Sequence, residues 1–64
     1  YDPAKTVVDL FRYRRHVGLN VAIESLREML RQRKATPAKV GQYADQAGVW
    51  KTVRPYLEAL TVDG

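Results

Sequence analysis

The sequence predicts an all-α fold, a small bundle of about four helices over residues 3-16, 21-34, 37-47 and 50-60. Three observations predict it. Apolar residues recur at three- and four-residue spacing along most of the chain, and no stretch alternates apolar and polar residues as a strand would. Asp2-Pro3 and Thr36-Pro37 repeat one helix-start pattern, in which a side-chain oxygen caps the first turn and a proline fills the position whose N–H has no partner anyway.

The first helix opens on Asp2-Pro3, and Ala4, Val7, Val8 and Phe11 form its apolar stripe, widened by Leu10 and Val17. Arg12, Arg14, Arg15 and His16 crowd its last turn, where the helix dipole favours positive charge, and Gly18 is expected to end it in the left-handed conformation. A short Gly18-Leu19 link to a second helix, capped by Asn20, implies an antiparallel hairpin. That helix carries its core residues at Ala22, Leu26, Met29 and Leu30, helped by Ile23. Glu24, Arg27, Glu28 and Arg31 stand at spacings that allow ion pairs along its outer face.

The third helix runs from Pro37 to Ala47 and stops at Gly48. Its apolar side is thin, with Tyr43 as the main anchor. In the last segment Trp50, Val53, Tyr56, Leu57 and Leu60 keep helical spacing but Pro55 intervenes, and an internal proline costs about 3 kcal/mol. The favoured reading is a break, with Thr52 capping a helix that holds Pro55 in its first turn and Val49 to Lys51 forming a separate bend; a single kinked helix is the other option. Residues 1-60 then make one helical domain, and residues 61-64 a loose tail.

Sixty-four residues allow one small core, and a chain of this length buries only about 60% of the surface it exposes when unfolded. The chain starts at Tyr1 without an initiator Met and is read as a domain of a longer protein. It has no cysteine, which removes disulfides, thiolate zinc sites and cysteine nucleophiles and fits a reducing cytoplasm. No apolar run reaches the roughly 18 to 20 residues a membrane span needs, and no signal peptide is recognisable, so no membrane association is expected.

Catalytic equipment is not evident. His16 is the single histidine and stands with no acid and nucleophile to make a triad. The acidic residues are scattered singly or sit beside arginine, no glycine-rich phosphate loop follows a strand, and neither a metal nor a cofactor is expected.

Eleven Lys and Arg against seven Asp and Glu give a formal charge of +4, a modest bias towards polyanions. Two basic runs concentrate it, Arg12-Tyr13-Arg14-Arg15 and Arg31-Gln32-Arg33-Lys34. Arginine and lysine can hold phosphates and Tyr13 can stack on a base, so these runs are the candidate nucleic-acid or partner contacts. Helix-end charge complementarity explains each run equally well without a ligand. The two ends of an antiparallel hairpin also lie about 20 Å apart, too far to form one patch. Trp50, Tyr43 and Tyr56 are read as core rather than as an exposed aromatic surface.

Several stretches together resemble the C-terminal domain of AbiEi-family antitoxins: Pro3-Ala4-Lys5-Thr6-Val7-Val8-Asp9-Leu10-Phe11-Arg12-Tyr13-Arg14, Gly18-Leu19, Ala22 with Leu26-Arg27, Gln42-Tyr43-Ala44, and Val53-Arg54-Pro55-Tyr56-Leu57-Glu58. The resemblance implies a bacterial type IV toxin–antitoxin system of the abortive-infection kind. There an N-terminal winged helix-turn-helix, which this chain lacks, binds operator DNA and represses its own operon, and the C-terminal domain serves to counteract a nucleotidyltransferase toxin without a stable complex. Within the matched motif Lys5, Asp9, Arg12 and Arg14 stand out. Asp9 follows Lys5 by four residues and precedes Arg12 by three, a spacing that permits a local ion-pair ladder. The candidate contact residues are Lys5, Arg12, Arg14, Arg15, Arg31, Arg33 and Lys34.

Overall fold

Asp2 sets the first helix in place in the computed structural model, which describes residues 2–62. Its Oδ1 accepts the backbone N–H of Ala4 at 3.1 Å and of Lys5 at 3.4 Å, and Pro3 follows as the first residue of α1, Pro3–Arg12. The other carboxylate oxygen, Oδ2, accepts the Tyr43 hydroxyl at 2.6 Å, so one aspartate both caps α1 and ties it to a helix far along the chain. Ala4, Val7, Val8 and Phe11 are buried, as the apolar stripe requires.

The expected first helix, 3-16, is interrupted. Tyr13 leaves the helical region at φ −103° and ψ 26°, and a short second helix, α2, runs Arg14–Val17. At the interruption the Arg14 guanidinium reaches back and donates to the Phe11 carbonyl at 2.9 Å, a side-chain donor supplied where the backbone ladder is disturbed. Gly18 does not adopt the expected left-handed helical cap. Its φ of 94° with ψ of 135° is a conformation glycine alone enters without strain, and it turns the chain directly into α3, Leu19–Arg31. Asn20 therefore lies inside the first turn of α3 and is not its cap, and Gly18, the residue in that position, supplies no side-chain bond.

The end of α3 also falls earlier than residue 34. The chain leaves the helix through a Schellman arrangement, with Lys34 N–H on the Met29 carbonyl at 3.1 Å and Arg33 N–H on the Leu30 carbonyl at 3.2 Å. This requires a left-handed residue, and Arg33 takes it at φ 56°. Helix α4, Pro37–Ala47, matches its expected bounds; Thr36 Oγ accepts the Lys39 N–H at 3.2 Å. It closes with the same Schellman pair, Val49 N–H on Ala44 and Gly48 N–H on Asp45, here with glycine in the left-handed seat.

The last helix, α5, runs unbroken over Trp50–Val62 with Pro55 inside it, so Val49 to Lys51 is no separate bend. The Val49 carbonyl accepts N–H groups of both Thr52 and Val53 at 3.0 Å and starts the helix ahead of Thr52. Thr61 and Val62, expected in a loose tail, belong to α5, and the Thr61 hydroxyl donates to the Leu57 carbonyl at 2.9 Å. Residues 63 and 64 lie outside the described residues.

All five helices of the described residues are short, and α1 touches each of the others, with its largest contacts to α3 and α4. The core comprises Ala4, Val7, Val8 and Phe11 of α1, Ala22, Leu26 and Met29 of α3, Val40 and Ala44 of α4, and Val53 and Leu57 of α5. Phe11 stacks on Tyr56, ring centroids 6.1 Å apart. Trp50 is half-buried and lies against α4 at Gly41, where a side chain's first carbon would stand 3.3 Å from its ring. No described residue buries a polar side chain.

Candidate functional site

The polar side of α1 faces a small cleft against α4. Lys5, Asp9 and Arg12, one turn apart along α1, line it with Tyr43 and Gln46 of α4 over a floor of Val8 and Ala47, and it encloses about 170 Å³. The expected ladder within this set is not formed. Among the described residues the ion pairs are Glu24–Arg27 at 2.8 Å, Glu28–Arg31 at 2.7 Å and Arg54–Glu58 at 2.9 Å, and Asp9 pairs with neither Lys5 nor Arg12. The cleft therefore presents two cations and a carboxylate whose charges are not spent on one another.

Tyr43 forms one wall, and its position is fixed at both ends. Its hydroxyl donates to Asp2, and Lys39 Nζ stands 5.7 Å from its ring centroid, adding a third cation beside the cleft. The Tyr43 hydrogen bond, followed by the backbone N–H bonds from Lys5 and Ala4, holds the Asp2 carboxyl below the usual aspartate range. The same contact pushes the Tyr43 phenol up, because ionising it would set two anions against each other.

The remaining contact candidates separate into two poles. At the end of α1 Arg12 stacks over the Tyr13 ring at 5.3 Å; beyond it Arg15 and His16 are exposed, and Arg14 is half-buried with its guanidinium turned to the Phe11 carbonyl. Tyr13, Val17 and Val21 are the large apolar side chains most exposed here, at 51%, 40% and 48%. At the other pole Lys34 shares a groove with Pro3 and Thr6 at the start of α1, as an antiparallel α1–α3 pair demands. Arg31 is committed to Glu28, whose carboxyl it holds below the usual range, while the Arg33 guanidinium makes no hydrogen bond or ion pair among the described residues. The structure thus gathers Lys5 and Arg12 in one cleft and leaves Arg31, Arg33 and Lys34 apart from them. Sequence reasoning missed Gln46 and Lys39 as neighbours of this cleft and took Tyr43 only as an anchor. The signal for Tyr43 was its place in the matched Gln42-Tyr43-Ala44 stretch; for Gln46 and Lys39 there was none.

Among the described residues no three acidic or histidine side chains gather as metal ligands, and no helix is long and apolar enough to cross a membrane. What fold and cleft define is a small all-α domain with a charged surface site between its first and fourth helices. Comparison with known proteins finds no matching family model, no matching curated protein and no matching solved structure.

Proposed function

We propose that this chain is the antitoxin domain of a bacterial type IV toxin–antitoxin system. It works in the cytoplasm by binding rather than by catalysis, and it counteracts a nucleotidyltransferase toxin as part of an autorepressing, DNA-binding regulator. The resemblance to AbiEi-family antitoxins supplies the system. The observation that supports a binding role is the unspent charge on α1: Lys5, Asp9 and Arg12 open on a cleft instead of pairing with each other. A solvated face that merely stabilised its helix would gain a few tenths of a kcal/mol from each such pair. Arg15, exposed just past the end of α1, adds a further cation for a polyanion or an acidic target.

The test replaces Lys5, Arg12 and Arg15 together by Gln and scores the rescue of toxin-expressing cells, with circular dichroism as the control for folding. Rescue should fall at least tenfold with helicity unchanged, and undiminished rescue would reject the reading. Arg14→Gln serves as a contrast: its guanidinium is turned to the Phe11 carbonyl, so its loss should lower stability before it affects rescue.

The exposed Tyr13, Val17 and Val21 favour a second reading, a dimerisation module that positions a DNA-binding domain outside this chain. Sedimentation at high concentration distinguishes it, since a strict monomer excludes that role.

A further inference from the structure

A second surface, at the opposite pole from the basic end of α1, carries an inference that is independent of the antitoxin reading. The end of α3, the start of α4 and the end of α5 enclose a groove of about 430 Å³, walled by Leu30, Ala35, Pro37 and Leu60. Its other lining residues are polar, but two of them are already engaged. Thr36 Oγ caps α4, and the Thr61 hydroxyl donates to its own helix at Leu57. The third is Arg33, whose guanidinium makes no hydrogen bond or ion pair among the described residues.

Arg33 also occupies the one non-glycine seat with positive φ among the described residues. The chain solves the identical problem at the end of α4 with Gly48, so a left-handed arginine is not required by the turn. Its effect is to hold a cationic side chain at the rim of an apolar groove. Among the described residues no acidic side chain lines the groove, and Glu28, the acid nearest Arg33 along α3, is bonded to Arg31 and Gln32. Lys34, the next residue, reinforces the positive field.

We propose that this groove docks an acidic, apolar segment of a partner protein, with Arg33 taking the carboxylate and Leu30, Pro37 and Leu60 covering the apolar side chain beside it. A fatty acid has the same two chemical parts but fits the shape less well. The fully buried residues Leu26, Val40 and Val53 are not among the lining, so the groove does not run into the core, and an acyl chain would stay largely in water. A short peptide, with one or two apolar side chains next to a carboxylate, matches its extent.

The experiment titrates the blocked peptide acetyl-Asp-Leu-Leu-amide into the 15N-labelled chain and follows the backbone amide signals. The expected result is saturable movement of the Leu30, Ala35 and Leu60 signals, about tenfold weaker when Lys or Asn replaces the peptide's Asp, and about tenfold weaker on R33G. R33G places glycine where the backbone favours it, so misfolding does not confound the loss. No movement at millimolar peptide, equal binding of the Lys peptide, or unchanged binding by R33G would each overturn the proposal. Octanoate binding as tightly as the acidic peptide would also overturn it, in favour of a lipid.

Discussion

Replacing Pro55 by Ala should stabilise this domain, and by an amount that decides between two structures for its last helix. In the unbroken α5, Trp50–Val62, Pro55 stands beyond the first turn, so its missing N–H leaves the Lys51 carbonyl without its helical donor. An interior proline costs about 3 kcal/mol relative to alanine. Pro55 is exposed, so water takes up part of the bonding the Lys51 carbonyl loses, and substitution sacrifices no core contact. A gain of about 2 kcal/mol is expected, which for a domain of this size raises Tm by about 8–16 °C at 4–8 °C per kcal/mol. Thermal and urea unfolding followed by circular dichroism measure it. Had the helix begun at Thr52, Pro55 would lie in the first turn, where it costs nothing and even stabilises by about 0.4–1 kcal/mol through the unfolded chain. A Tm that stays level or falls in P55A therefore refutes the continuous helix.

Three further outcomes follow from the packing. Leu26 is fully buried, so L26A should cost about 2–5 kcal/mol, comparable with the whole stability expected of 64 residues at about 0.05–0.15 kcal/mol each, and its thermal transition should nearly vanish. The Asp2–Tyr43 bond predicts a stability plateau. Asp2's lowered pKa contributes stability above the unfolded aspartate value of about 3.9 that is lost as pH falls through the folded value. The raised pKa of Tyr43 contributes stability below about 10 that is lost as pH rises through its folded value. Tm measured from pH 2 to 11 should drop at both ends, and Y43F should flatten both drops; unaltered limbs in Y43F would mean other groups produce them. At Gly41 the added carbon of alanine meets Trp50 at 3.3 Å, a few tenths of an ångström too close, whereas valine forces the ring away. Trp emission should hold its wavelength in G41A and shift to the red in G41V.

What the sequence made legible was the part of the structure that local chemistry determines. Asp2-Pro3 and Thr36-Pro37 start helices wherever they fall, because a capping oxygen and a proline act within one turn, and Gly48 ends α4 for the same reason. The break at Tyr13 was not legible, since it depends on where Arg14 and Gly18 find their conformations after α1 and α3 have packed. Arg33 read as one more cation in a basic run, and only the backbone shows that it occupies a glycine's seat. Pro55 misled for a quantitative reason. Its local cost of about 3 kcal/mol looks decisive alone, yet the helix starts at Trp50, which packs partly buried against the core beside the buried Val53 and Leu57. Packing of a large side chain such as Trp50, at up to about 1.5–3 kcal/mol, and hydration of the carbonyl of the exposed Lys51 offset that cost together, and neither is legible from local sequence.

The same contrast of local and distant effects governs the candidate site. Spacing along α1 alone predicts that Lys5, Asp9 and Arg12 pair with one another, because within a single helix they have no other neighbours. Docking α4 across that face changes the comparison. Tyr43, pinned by Asp2 at one end and beside Lys39 at its ring, builds a wall next to the charges, and Gln46 adds an amide within the same cleft. An exposed helical pair contributes only about 0.3–0.5 kcal/mol, less than a single good hydrogen bond to a charged group, at about 1.5–3 kcal/mol. On the proposed reading, Lys5 and Arg12, held open beside a neighbouring helix, would gain more from an incoming carboxylate or phosphate than exposed pairs with Asp9 would give them.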